Sequence, residues 1–315
     1  MGDPVLAIET HGLTKKFGKQ TAVDNIDLAV PRGSVFGFLG PNGSGKTTTI
    51  RVLLGLASAT SGEVSVLGRS LPRMLPEILP RVGALIEGPG FYPFLSGAAN
   101  LSRLDSADRF VPSSTRRARV DAALDRVGLS HAADKKVKAY SLGMKQRLGI
   151  ANALLAPREL IVLDEPTNGL DPQGTREVRN LVRSLTAEGT TVFVSSHLLA
   201  EIEHMCTHAA VMSAGALVAQ GSLDELRLAG QTRVRVVTPD VEAALRVFLS
   251  LGLDPDHPEF ADGIVSAPLV DDRQPESIVA ALVADRVRVR GFTVEQATLE
   301  DLFVALTGEG FDVAQ

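Results

Sequence analysis

Two runs far apart in the chain carry residue types that can hold and cleave a polyphosphate. Gly40-Pro41-Asn42-Gly43-Ser44-Gly45-Lys46-Thr47 fits G-x-x-x-x-G-K-[ST] at every fixed position and leads into Thr48. Glycines so spaced let main-chain amides turn inward around phosphate oxygens, while a helix starting there aims its positive end at them. Lys46 would reach the outer phosphates, and the Thr47 hydroxyl would bind Mg2+. Downstream, Leu160-Ile161-Val162-Leu163-Asp164-Glu165-Pro166 closes an apolar run with two adjacent carboxylates. Asp164 suits the Mg2+ shell, and Glu165 stands where a carboxylate can polarise an attacking water. The chemistry expected is hydrolysis of a phosphoric anhydride.

Between these runs lies Tyr140-Ser141-Leu142-Gly143-Met144-Lys145-Gln146-Arg147, a Ser-x-Gly turn opening a basic helix. Ser141 is a good N-cap, and at a helix N-terminus its hydroxyl and the neighbouring amides can also meet a phosphate. Asn168-Gly169-Leu170-Asp171 reads as a turn followed by a helix cap before Pro172. Ser195-Ser196-His197 ends a further apolar run.

The elements that must position these residues follow from periodicity. Residues 5–30 alternate apolar and polar positions around polar turns, as antiparallel strands covering one side of a domain do. Ser34–Leu39 is a continuous apolar run suited to a central parallel strand, and a helix is expected from about Lys46 to Leu56. The texture turns helical from about Glu87 to Ala156, with Arg116–Val127 carrying Val120, Ala123, Leu124 and Val127 at helical spacing. Buried strands return at Leu160–Asp164 and Thr190–Ser195 with the helix Gln173–Glu188 between them, and Ala209–Gln220 reads as a hairpin turning at Ala214-Gly215. The Arg116-Arg117-Ala118-Arg119 cluster reads as a solvated helix face. Beyond Gly230 the pattern starts afresh, with strands at 232–237, 263–266 and 288–290 and helices at 241–251, 275–286 and 299–306.

With 315 residues the chain has room for one large domain and a small one. No apolar run approaches the roughly 18 residues that span a bilayer, and Met1-Gly2-Asp3-Pro4 has neither the basic nor the apolar part of a secretory signal. The single Cys206 excludes an internal disulfide, fits a reducing compartment and reads as a small buried hydrophobe. A net charge of −5 argues against a nucleic-acid partner.

In this order the motifs resemble those of the ATP-binding-cassette ATPases over residues 5–225. The resemblance implies an α/β P-loop NTPase fold with a mixed sheet, an antiparallel β-subdomain and an inserted helical subdomain (about 87–156). Residues 1–228 would form this ATPase domain and 229–315 a small C-terminal α+β accessory domain. It implies ATP and Mg2+ at Gly40, Pro41, Asn42, Gly43, Ser44, Gly45, Lys46, Thr47 and Thr48, with Phe17 stacked on adenine and His197 beside the γ-phosphate. Tyr140–Arg147 would be the signature, so that Ser141 and Gly143 close on ATP held by a second copy of the chain. Asn168–Asp171 would run along that dimer interface.

The chain departs from the family pattern at three places. Leu142 stands for a glycine and Met144 for a glutamine in the signature. Glu87, expected at the metal with Thr47 and Asp164, stands where most cassettes have a glutamine, and an ionised glutamate can accept hydrogen bonds but not donate them. The phrase Gly83–Leu101 and the ending Ala297–Thr307 resemble the exporter branch typified by bacitracin and daunorubicin exporters. That branch implies a separate integral membrane permease, six-helix in form, with the ATPase cytoplasmic and peripheral on the inner face of the membrane. The aromatic-rich Gly88–Leu95 loop would receive a short helix of this partner. An importer ATPase and a soluble non-transport cassette are the alternative readings.

Overall fold

The structure, a computed structural model, describes residues 5–86, 90–229, 232–255, 263–269, 274–296, 298–299 and 301–302. Two compact units divide the chain, the first running to Leu223 and the second beginning at Asp224.

The first unit opens with the strands β1 (Leu6–Phe17), β2 (Gln20–Ile26), β3 (Ala29–Pro31) and β4 (Val35–Leu39). Helix α1 (Lys46–Leu53) is followed by β5 (Ser61–Val66), β6 (Arg69–Ser70), the single turn α2 (Leu75–Ile78) and β7 (Val82–Leu85). Three helices come next: α3 (Gly97–Asp105), α4 (Arg116–Arg126) and α5 (Leu142–Ala153). The unit closes with β8 (Leu160–Asp164), α6 (Pro172–Ala187), β9 (Thr191–Ser196), α7 (Leu199–Met205), β10 (His208–Ser213), β11 (Ala216–Ser222) and the start of α8 (Leu223–Ala229).

β1 pairs antiparallel with β2, β3 and β5, and β5 pairs antiparallel with β6, forming a sheet of their own. The second sheet has the order β11-β10-β4-β9-β8-β7 and is parallel except for β10 with β11. Its inner strands β4 and β8 read as near-continuous apolar runs because both their faces are buried. Phe36, Phe38, Leu160, Val162 and Phe193 face the antiparallel sheet and α1, while Val35, Ile161, Leu163, Val192 and Val194 face α4, α5 and α6. Phe193 lies against the rings of Phe36 and Phe38, at centroid separations of 5.8 and 5.2 Å.

The helices α3, α5 and α6 start where a short polar side chain takes an orphan amide. Ser96 caps α3 through Ala99 N–H, Ser141 caps α5 through Met144 N–H, and Asp171 caps α6 through Gly174 N–H with Pro172 next in line. Tyr140, just before α5, is buried and donates its hydroxyl to the Ala132 carbonyl at 2.6 Å.

The arginine cluster departs from the expected solvated face. Arg117 is exposed, but Arg116 and Arg119 turn inward onto Asp105 of α3, whose side chain is 1% exposed. The Nε of each arginine donates to this carboxylate at 3.0 and 2.8 Å, and the Arg119 hydrogen bonds, with those of Arg116, hold it below the usual carboxylate range. Cys206 is half-buried against the core at the C-terminal end of α7, and burial pushes its thiol pKa upward.

In the second unit β12 (Arg233–Val237) is the middle strand, flanked antiparallel by β13 (Ile264–Pro268) and β14 (Gly291–Glu295). Helices α9 (Val241–Ser250) and α10 (Pro275–Ala284) pack Val247, Phe248, Ile278 and Leu282 against Val234, Val236 and Val265. The strand expected at 288–290 begins instead at Gly291. Asp240 accepts from the Arg288 amide and guanidinium at 2.5–2.9 Å and holds this stretch as a lead-in, and the pairing lowers the Asp240 pKa to about 2.

Candidate active site

The phosphate loop joins β4 to α1 and is boxed in from the antiparallel side. Gly45 has φ +103°, and a Cβ there would lie 2.5 Å from the Ala22 carbonyl oxygen, so only glycine fits. The turn between β10 and β11 braces the other side, with Gly215 N–H donating to the Ser44 carbonyl at 3.1 Å. Ser44 itself is buried and its Oγ has no protein partner. A hydroxyl left so beneath a ring of loop amides fits a phosphate oxygen.

Lys46 is buried, and its ammonium donates to the carbonyls of Gly40 at 2.6 Å and Pro41 at 3.2 Å. Burial pulls its pKa down, against the opposing pull of Glu165 and Asp164, and Glu165 Oε1 lies 3.7 Å away. Thr47 Oγ1 donates to Asp164 Oδ2 at 3.1 Å. This places a hydroxyl and a carboxylate oxygen side by side, hard donors of the kind Mg2+ takes when phosphate oxygens complete its shell. Among the described residues no cluster of three or more His, Cys, Asp or Glu side chains is placed to hold a metal ion.

Glu165 follows β8 with φ +49°, a region costly for a side-chain-bearing residue. Three hydrogen bonds hold it there. Its amide donates to Ser195 Oγ at 3.0 Å, and its carbonyl accepts from Asn168 N–H and Gln146 Nε2, each at 3.2 Å. Its carboxylate Oε2 lies 2.8 Å from His197 Nδ1.

A cleft of about 610 Å³ brings together Phe17, Asn42, Gly43 and Gly45–Thr48 of the phosphate loop, Glu165, Asn168 and His197, with Ser44 buried behind it. Phe17 is 51% exposed at its edge, with Lys15 Nζ 4.8 Å from the ring centroid. Gly40, Pro41 and Asp164 lie beneath or beside this cleft rather than along it. Ser141 and Gly143 line a different depression of about 410 Å³, with Gly169, Leu170 and Asp171. Asn168 and its three successors thus connect the two surfaces. Glu87 lies outside the described residues. Past it, Phe91 packs on the helical core, whereas Tyr92 and Phe94 are 45% and 62% exposed and meet edge to face.

Sequence reasoning passed over Gln20–Ala22 and Ala214-Gly215 as cleft walls, and Ser195 and Gln146 as supports of the acidic pair. The doubled serine before His197 was the one available signal.

The family description ABC transporter fits residues 23–168. The bacitracin transport ATP-binding protein BcrA of Bacillus licheniformis is 40% identical over 96% of this chain and 98% of its own length. The chain belongs to the ABC transporter family. It is an ATP-binding subunit and an ATPase, similar over 98% of its length, at 35% identity, to the daunorubicin/doxorubicin resistance ATP-binding protein DrrA of Streptomyces peucetius, 94% of which is covered. Among solved ABC structures, cbiO1 of Clostridium perfringens, part of the cbiONQ complex, superposes at TM-score 0.64 with 26% identity over 78% of this chain and 96% of that one. A dimeric ATP-binding cassette in a post-hydrolysis state, bound to ADP and Pi, superposes at TM-score 0.62 with 25% identity over 69% of this chain and 98% of that one. Among the described residues of this ABC subunit no helix is long and apolar enough to cross a membrane.

Proposed function

We propose that two copies of this ABC ATPase close around ATP and drive a separate six-helix membrane permease, exporting a drug, antibiotic or lipid from the inner face of the membrane. Each site would draw Lys46, Asp164, Glu165 and His197 from one copy with Ser141 and Gly143 from the other. The observation that carries this reading is the separation, within one chain, of the Lys46–Glu165–His197 cleft from the Ser141–Gly143 depression. The dimeric relative bound to ADP and Pi supports it, as do the relatives named for bacitracin transport and daunorubicin resistance.

In this scheme the loop amides and Lys46 bind the β- and γ-phosphates, and Phe17 supports the adenine. Thr47 and Asp164 would hold Mg2+, which when bound neutralises charge on the phosphate oxygens. Glu165 accepts a proton from water as its oxygen bonds to the γ-phosphorus, while the bridging P–O bond breaks and ADP leaves with the electron pair. His197 orients the Glu165 carboxylate through Nδ1, leaving its other ring nitrogen for the transferring phosphoryl group. Residues 1–228 would form the ATPase domain and 229–315 an accessory domain. The exposed Tyr92–Phe94 pair, with Glu87 just before it, would meet the permease.

Mixing two disabled chains tests the composite site. A Lys46→Ala chain and a Ser141→Arg chain should each be inactive with ATP and Mg2+. Mixed, they should recover about a quarter of the parental rate, since half of randomly paired dimers are mixed and each holds one intact site. Absence of recovery would mean that each chain works alone.

A further inference from the structure

Ser195 is fully buried at the end of β9, paired in register with Asp164 of the neighbouring parallel strand. Its hydroxyl is used in both directions. It donates to Asp164 Oδ1 at 2.5 Å and accepts from the Glu165 amide at 3.0 Å. Asp164 thereby has one oxygen taken by Ser195 while the other, Oδ2, faces the Thr47 hydroxyl at 3.1 Å. The same hydroxyl anchors the amide that opens the left-handed turn at Glu165, from which the side chain reaches His197.

We infer that Ser195 is a positioning residue for hydrolysis, through which one buried hydroxyl sets both the metal-facing oxygen of Asp164 and the direction of the Glu165 base. An apolar side chain at this place would leave the Asp164 oxygen and the Glu165 amide without partners in a site closed to water. The carboxylate would then be free to rotate away from Thr47, and the turn at Glu165 would keep only its carbonyl side fixed. Outer-shell hydrogen bonds of this kind commonly govern metal affinity and rate without touching the substrate. The inference rests on the roles given above to Asp164 and Glu165.

The test uses the full-length chain with Ser195→Ala, Ser195→Thr and Asp164→Asn, and Mn2+ as the metal probe, its binding to the ADP-loaded protein followed by electron paramagnetic resonance. Ser195→Ala should weaken Mn2+ binding and lower kcat by about 10- to 100-fold. Affinity for a fluorescent ATP analogue in EDTA should stay within about twofold, because the loop amides and Lys46 do not depend on Ser195. Ser195→Thr, which keeps the hydroxyl, should restore Mn2+ affinity and kcat together. If the alanine chain does not fold, Ser195→Cys replaces it, being close in size and a weak hydrogen-bonding group. Parental Mn2+ affinity and kcat in the chain lacking the hydroxyl would overturn the inference, and so would a threonine chain as defective as alanine. Asp164→Asn separates the two levels. Lost Mn2+ affinity there beside a parental Ser195→Ala sinks only the role of Ser195, whereas parental affinity in Asp164→Asn sinks the assignment of Asp164 itself.

Discussion

Gln146 Nε2 donates to the Glu165 carbonyl oxygen at 3.2 Å, so the helix that Ser141 opens holds the peptide carrying the proposed base. The glutamine is nearly buried, five residues beyond Ser141, and Asn168 N–H shares the same carbonyl. A shift of α5 caused by contact at Ser141 therefore reaches Glu165 without passing through the nucleotide.

Gln146→Leu keeps the volume and removes this donor. Hydrolysis should slow by about tenfold, the cost of one hydrogen bond that matters in the transition state, with ATP affinity within about twofold because the cleft walls are intact. Phosphate release at saturating ATP, set beside a nucleotide titration, checks this. A change in affinity alone, with kcat preserved, would contradict the coupling.

Phe17 is half exposed where it lines the cleft, with Lys15 over its ring. Phe17→Ala should weaken ATP by about tenfold, as loss of base–aromatic stacking does, and Phe17→Tyr should not. Inorganic tripolyphosphate has no base to stack, so its binding should be equal in all three chains. Isothermal titration with both ligands gives the comparison directly.

Asp105 carries a prediction about pH. Its pKa is lowered in the folded chain by Arg119 first and Arg116 second, so the stabilisation it provides is complete above the ordinary aspartate value, about 4, and disappears as pH falls through the lowered one. Asp105→Asn removes the carboxylate and leaves two inward-turned guanidinium groups short of a partner. At pH 7 it should cost about 2 kcal/mol and lower the unfolding midpoint of the first unit by roughly 5 °C. The gap between variant and parent should narrow below pH 4, which thermal melts across pH 3–7 would reveal.

What the amino-acid order disclosed was set by how tightly chemistry ties residue type to spacing. Gly40–Thr47 and Asp164-Glu165 are legible because a phosphate cradle and a metal-facing acid admit few alternatives at fixed intervals. Ser195 and Gln146 were not. A serine in a strand or a glutamine in a helix is ordinary, and only the register of β9 on β8 and the seating of α5 bring them to Glu165. The arginines of α4 were misread for the same reason, since their partner lies on α3 and local spacing cannot show it. Alternation at 288–290 did resemble a strand, but Asp240 captures Arg288 before the ladder can begin.

The order β10-β4-β9 has a bearing on biosynthesis. The strand that delivers the phosphate loop has both its hydrogen-bonded neighbours at residues 191–213, and the loop's brace comes later still, at Gly215. A growing chain therefore exposes the intact motif, with only the Ala22 side of its box made, long before the neighbours of its strand emerge, because those non-local pairings arrive with the last third of the first unit. Capacity to grip a nucleotide is thus acquired in one late step, and a fragment ending before β9 would carry the letters of the site without its shape.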